Sequence, residues 1–323
     1  MRKKIIFLTL AATLSSHQSI TFAADAYPSR PIRVITAVGP GGTADIFLRT
    51  LGEELTRRWG QPIVVEPHPG GNFVIGGRAC AEAPADGHTL CMLSGETLAY
   101  NMFLFKSLPY DPEKNFVPIT NFFFTTTAVV VNAALNVKTL DELAALARAK
   151  PKTLAYVAPS IPQRVFFDKF NRERGTDLVG IPFRGGAEAV AGVLSGSTPV
   201  AFFGLASFLP YLRDGKMNGL LVDGAARPPL VPEIATLAET GYRDNLTRVY
   251  YGLVAPAGVA ASIVHRLREE IADIMSVPGF RQRNLIERAL EPIANTPEEF
   301  ARFLQQDRLL SQQVVREAGL QPQ

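Results

Sequence analysis

The chain has 323 residues, 47% hydrophobic and 20% charged, which excludes a disordered, collagenous or multi-span membrane protein. At roughly 100–200 residues per domain, this length favours two domains. The formal charge of +3 rests on Arg2, Lys3 and Lys4; without them basic and acidic residues balance at 30 each, so the charge a nucleic-acid binder needs to displace counterions is absent.

Arg2, Lys3 and Lys4 precede an apolar run over 5–14, and small residues follow at Ala23, Ala24 and Ala26. This is the three-part layout of a secretory signal, so residues 1–26 are expected to be a leader cleaved after Ala23 or Ala26. The apolar run is too short for a permanent anchor, and no later stretch offers the ~20 uninterrupted apolar residues that spanning requires. An exported chain that is not membrane-inserted is expected.

Residues 32–38 form a β-branched apolar run ending in Gly39, Pro40, Gly41 and Gly42, and helical periodicity follows at Ile46, Leu48, Leu51 and Leu55. Trp59 and Gly60 close that helix. A short strand over 62–66, a Pro/Gly-rich loop over 67–71, a helix near 75–82 and a strand over 89–93 come next. Such alternation predicts a parallel α/β sheet with right-handed crossovers. Residues 122–131, rich in Phe, Thr and Val, read as one long strand.

Thr139 caps a helix with Glu142 at the capping-box position, and Lys150 and Pro151 end it. A second α/β pattern then begins, with strands over 154–158, 178–181, 199–203 and 220–222 and helices around 164–174 and 187–194. Another strand covers 250–255. One helix opens at Ser262 and the last at Thr296, with Pro297 first and Glu299 at the box position, running to about Ala318. Two similar α/β lobes are the simplest description.

After the leader there are two cysteines. Cys80 ends a predicted helix and Cys91 lies in the following strand. A disulfide and a pair of buried thiols both remain open. His17, His68, His88 and His265 are scattered without metal-ligand spacing, so no metal site is expected.

The loop Gly39, Pro40, Gly41, Gly42, Thr43, Ala44 and Asp45 lies between a strand and a helix, where free amides and the helix dipole favour an anion. Gly39, Gly41 and Ala44 also match a G-x-G-x-x-A dinucleotide fingerprint, with Glu66 placed as a ribose-binding acid. Against this stands export, which takes the chain away from dinucleotide, and the lack of any recognisable hydride-transfer site. No cofactor is expected. A glycine turn that merely starts a helix is the plainest alternative.

Several stretches together resemble the tripartite tricarboxylate transporter solute-binding family, the Bug extracytoplasmic receptors. They begin with Tyr27, Pro28, Ser29, Arg30, Pro31 and Ile32, and continue through the glycine loop to Ile46 and Arg49. Gly60, Gln61, Pro62, Val64, Val65 and Glu66 match the family's second strand. Ala85, Asp86, Gly87, His88, Thr89 and Leu90 match the entry to its third. The most specific stretch is Leu108, Pro109, Tyr110, Asp111, Pro112, Glu113, Lys114, Asn115 and Phe116. Pro182, Phe183, Arg184 and Gly185 match a Pro-aromatic-Lys/Arg-Gly turn; Ala255, Pro256, Ala257 and Gly258 a hinge-side loop; and Thr296, Pro297, Glu298, Glu299 and Phe300 the final helix start.

The resemblance implies a two-lobed type II periplasmic-binding-protein fold, each lobe an α/β sheet with flanking helices, with the ligand cleft between them. Lobe I would comprise 27–126 plus 250–323 and lobe II 127–249. A non-catalytic, monomeric periplasmic receptor is expected, closing on a small carboxylate by hinge motion and delivering it to a membrane permease. The implied ligand-binding residues are Gly39, Pro40, Gly41, Gly42, Thr43, Ala44 and Asp45, then Ser94, Gly95, Glu96 and Thr97. From the opposite lobe they are Ser160, Arg164, Phe183, Arg184, Gly185, Gly204 and Ser207. Pro159 to Arg164 departs from the family's usual small-residue loop, and Pro67, His68 and Phe203, Gly204 replace its usual pairs. The ligand therefore does not carry over from relatives. The competing functional classes are an exported dinucleotide-binding enzyme and a ligand-sensing binding protein.

Overall fold

The computed structural model describes residues 27–182, 186–224, 226–240 and 248–323. The expected leader, and Phe183, Arg184 and Gly185 of the expected site, lie outside the described residues. Strand β1 (Ile32–Thr36) is buried at four of its five positions, and through Gly39–Gly42 the chain enters helix α1 (Thr43–Trp59). The helix buries Phe47, Leu48, Leu51 and Leu55 and ends at Gly60, whose φ of 68° lets its N–H return to the Thr56 carbonyl. Next come β2 (Ile63–Pro67), α2 (Val74–Ala81) and β3 (Thr89–Ser94). Every residue of β3 is buried, as in the middle of a covered sheet. A five-residue π-helical turn, Glu96–Tyr100, leads into α3 (Asn101–Leu104).

After β4 (Phe116–Thr125) the chain crosses to a second sheet as β5 (Thr127–Asn132). There it forms α4 (Leu140–Ala149), β6 (Ala155–Val157), α5 (Ile161–Arg174) and β7 (Val179–Gly180), then α6 (Gly186–Ser195), β8 (Val200–Gly204), α7 (Leu209–Arg213) and β9 (Met217–Val222). The chain returns as β10 (Tyr250–Pro256), followed by α8 (Ala261–Ser276), α9 (Pro278–Asn284), β11 (Leu290–Pro292) and α10 (Pro297–Glu317). The strand orders are β11-β4-β10-β3-β1-β2 and β7-β6-β8-β5-β9.

Two expectations are corrected. The sheets are mixed rather than parallel, because β10 runs antiparallel to β3 and β4, and β5 antiparallel to β8 and β9. The single strand expected over 122–131 is two strands in different sheets. Thr126 breaks it by giving its N–H to the Ala289 carbonyl at 3.0 Å and accepting from the Leu205 N–H at 2.9 Å. A propensity for extended backbone does not record which sheet supplies the partner. Strand β11, α7 and α9 were absent from the sequence reading, and α5 starts at Ile161 rather than near 164.

One core cluster, including Phe47, Phe122, Leu253 and Leu267, fills the first lobe, with a second around Cys80, Tyr250 and Phe300. The other lobe buries Phe166, Phe167, Phe170 and Phe202 on one side of its sheet, and Val130, Val193, Leu205 and Phe208 on the other. Cys80 of α2 is bonded to Cys91 of β3, closing a short loop across a sequence separation of 11 and fastening the helix to the strand. A loop of that length restricts the unfolded chain by about 3 kcal/mol. Gly252 decides how α10 lies on the sheet: a Cβ there would sit 2.2 Å from the Phe300 ring, so only glycine allows that helix to rest on β10. Between the lobes Tyr100, Ile161, Val314 and Val315 form a small apolar cluster.

Candidate ligand site

Strands β1 and β3 are parallel neighbours, Thr36 lying opposite Met92, so the loops that follow them leave the same edge of the sheet. Ligands of open α/β sheets bind beyond that carboxyl edge. In the other sheet β6 and β8 are likewise parallel, placing Ser160 and the Gly204–Ser207 segment after strands of one direction.

The glycine loop keeps its backbone exposed from Pro40 to Gly42, and Gly42 starts α1 with no side-chain cap. The first amides of a helix have no intrahelical acceptor, so this helix start can receive an anion. Asp45 plays a different part from a ligand contact. It is 2% exposed, accepts the Gly41 N–H at 2.9 Å, and takes Arg49 Nε on both oxygens at 3.0 and 3.1 Å. Gly41 has φ 86°, a conformation suited to glycine, and Asp45 holds the turn closed.

After β3, Ser94 stands beside Glu96 and Thr97 is fully buried. Thr97 packs toward Gly77 of α2, facing the lobe interior. Glu96 lines a small recess of about 10 Å³ with Gly95, Tyr100 and Tyr250 and, from the stretch 127–249, Pro162, Arg248 and Val249. A second small gap of about 10 Å³ lies among core side chains such as Ile32, Leu48, Phe122 and Leu267, where no charged group could orient an anion. The turn carrying Glu96 is held from beneath by Arg308, which donates to the Leu98 carbonyl at 3.0 Å and the Pro112 carbonyl at 2.8 Å.

Burial raises the Glu96 carboxyl above the ordinary range, against the charge of Arg164. Behind it the Tyr250 hydroxyl donates to Asp307 at 2.8 Å. Burial pushes Asp307 up to about 7; the Tyr250 bond pulls it down, and the charge of Glu96 adds to the rise. At the crossover Asp223 accepts the Thr127 N–H and hydroxyl, each at 2.7 Å, and burial lifts it to about 6 against the charge of Arg248. Arg248 itself lies 4.4 Å over the Phe124 ring, with Nη2 2.8 Å from the Glu291 carboxylate.

Across the cleft, Gln163 accepts the Ser160 N–H at 3.3 Å, and Arg164, half-buried, gives Nη1 to the Pro159 carbonyl at 2.6 Å. Glu66, placed by sequence as a ribose-binding acid, is occupied on both oxygens by Arg33 at 2.9 and 2.7 Å. Among the described residues no group of three or more His, Cys, Asp or Glu could hold a metal ion, and no helix is long and apolar enough to cross a membrane.

The model of the tripartite tricarboxylate transporter family receptor matches residues 47–320. The chain belongs to this family. It is 29% identical over 300 residues to Protein BugT of Bordetella pertussis (strain Tohama I), covering 92% of each chain. It is also similar to a solved structure of a periplasmic transporter, with 32% identity, a TM-score of 0.83, and coverage of 92% of this chain and 99% of that one. The structure of R. palustris Rpa4515 with adipate shares the fold at 24% identity and a TM-score of 0.84, covering 92% and 100% of the two chains. The fold is therefore that of the two-lobed periplasmic binding proteins, and this receptor family comprises solute-binding proteins rather than enzymes.

Within this receptor fold, sequence reasoning missed Tyr100, Arg248, Val249 and Tyr250 as walls of the recess, whereas Pro162 lies within the stretch 158–164 expected from the opposite lobe. Tyr100 lies beside a stretch already singled out and could have been included. Arg248 and Tyr250 carry no local signal, because they reach the cleft only through the return of the chain from the second sheet.

Proposed function

We propose that the protein is a periplasmic receptor that captures a small carboxylate between its lobes and delivers it to a tripartite tricarboxylate-type permease. In this reading residues 1–26 are a removed signal peptide, 27–126 plus 250–323 form lobe I, and 127–249 form lobe II. The observation that carries it is the exposed, uncapped start of α1 at the carboxyl edge of the first sheet, whose free backbone amides suit an anion. Amides and a guanidinium can hold a carboxylate while leaving it partly hydrated, which suits a cargo that must be released. Rpa4515, which shares the fold, holds adipate, a small carboxylate. The binding group is the loop from Gly39 to Ala44, held closed by Asp45, with Ser94, Gly95 and Glu96 on one side, and Ser160, Arg164, Arg184, Gly204 and Ser207 on the other.

The test is thermal unfolding of the mature protein against mono-, di- and tricarboxylates, aromatic acids, amino acids and NAD. A ligand at 100 times its dissociation constant adds about 2.7 kcal/mol, a readily measured rise in midpoint. A shift with a carboxylate is expected, accompanied by a smaller radius of gyration in solution scattering. A shift with NAD alone, or with no carboxylate in the panel, would overturn the receptor reading.

A further inference from the structure

Helix α10 keeps one buried face along its length, at Phe300, Leu304, Asp307, Ser311 and then Val314 and Val315, spaced three and four apart as one side of a helix requires. Phe300, Leu304 and Asp307 meet the first lobe, at Tyr250 and the core around it. The last turn differs. Val314 and Val315, 8% and 6% exposed, share an apolar cluster with Tyr100 and with Ile161 of the second lobe, and Val165, one helical turn beyond Ile161, packs against it. Valine is a poor helix former, so two in succession in a closing turn are there for what they touch.

Each side of this contact is fixed to its own lobe. Arg308 ties α10 to the Leu98 and Pro112 carbonyls. Beyond the helix Gly319, with φ 66°, turns the chain back, and Gln323 accepts the Lys106 N–H and donates to the Leu104 carbonyl, both at 2.9 Å, while Leu320 packs on the same cluster. On the other side Phe166, Phe167 and Phe170 root α5 in the core of the second lobe. Pro162 of α5 and Tyr100 also bound the recess, whose volume of about 10 Å³ admits no more than about one water. Anything larger enters only if the lobes part, and parting carries Ile161 and Val165 away from Val314 and Val315.

We propose that the last turn of α10 is an apolar latch: Val314 and Val315, with Ile161 and Val165, hold the lobes shut through a contact outside the anion-binding loops. The latch goes beyond the receptor reading, since it needs only two lobes that part and is independent of the cargo. Its consequence for capture rests on that reading. Part of the free energy of closure comes from the protein itself, so affinity and release depend on side chains that do not touch the cargo. The contact is small and non-directional, which biases the two arrangements without locking either.

The experiment is small-angle scattering of the mature protein with no carboxylate added. Wild type is expected to show the smaller radius of gyration of shut lobes. Val165→Ser from one side and Val315→Ser from the other are each expected to lower the ratio of shut to open molecules about tenfold, the scale of one lost valine contact. Both break the same contact, so together they are expected to do less than the sum of the two. A triple variant that carries Val314→Ser as well is expected to show the larger radius of parted lobes. Leu309→Ser, on the same helix but 69% exposed and outside the cluster, is expected to keep the wild-type radius. Near-ultraviolet circular dichroism confirms that the variants are folded; should the triple variant not fold, the two single ones decide by the same readout. If wild type already has the larger radius, or folded variants keep the wild-type radius, the latch is overturned while the receptor reading stands. A lower unfolding midpoint without any change of radius would make the valines core packing only, and overturns it equally.

Discussion

Asp45 and Glu96 follow neighbouring parallel strands of one sheet and are 2% and 7% exposed, yet their surroundings differ completely. Asp45 receives a backbone N–H from Gly41 and a guanidinium from Arg49, so its acceptor capacity goes into the shape of its own loop. Glu96 makes no such closing contacts among the described residues, and it lines a small recess together with Arg248. Burial of an acid at the carboxyl edge of a sheet therefore does not identify a ligand contact. The number and kind of partners already present does, since a satisfied carboxylate has nothing left to offer.

The comparison can be pressed hardest at Asp307, a third buried acid that feels the charge of Glu96. Its proton-bound form is favoured by folding, because its value in the folded chain, about 7, lies above the ordinary 3.8. The resulting stability is complete below about pH 4 and is lost as pH rises through 7. A displacement of that size corresponds to on the order of 4 kcal/mol. Asp307→Asn keeps an oxygen for the Tyr250 hydroxyl and is expected to flatten urea-unfolding stability between pH 4 and 8. A variant that follows the wild-type slope would show that the acid is not held neutral by its burial. Asp223, lifted to about 6, adds a smaller contribution of the same sign.

Next in size is Asp45→Ala, which orphans the Gly41 N–H and frees Arg49. The loss is expected to be about 2 kcal/mol, most of it from the amide, because Arg49 is 46% exposed. Glu96→Gln, measured beside it in the same denaturant, is expected to leave the midpoint unmoved or higher. Equal destabilisation by the two would erase the distinction between a carboxylate that closes its loop and one that does not. The smallest effect belongs to Arg33→Ala. It breaks a bidentate but exposed pair with Glu66 and is expected to cost less than about 1 kcal/mol, a difference that shrinks further in high salt.

Helix starts were the most legible features of the sequence. At Thr139 and Thr296 the side chain accepts the N–H of the glutamate three residues on, at 3.1 and 3.2 Å, and each glutamate side chain bonds back, from Glu142 to the Lys138 N–H and from Glu299 to the Thr296 N–H. These bonds involve residues adjacent in sequence, so spacing alone reveals them. The strand, glycine loop and helix around Gly39–Asp45 were readable for the same reason. The change of sheet at Thr126 was not, because its partners are Ala289 and Leu205, far away along the chain. At the recess, motif order singled out Gly95 and Glu96 but not Tyr100 or Tyr250. Which side chains share the recess with Glu96, Arg248 among them, only the folded arrangement decides.

The missing side chain at Gly252 has a reach beyond packing. Because the Phe300 ring settles into the space a Cβ would occupy, α10 comes down onto β10 at a depth that brings Asp307 to the Tyr250 hydroxyl and Arg308 beneath the turn of Glu96. A single methyl group there would lift the whole helix like a shim under a beam. Two ionisable groups would lose their footing at once, and the cleft would feel a change made on the far side of its own wall.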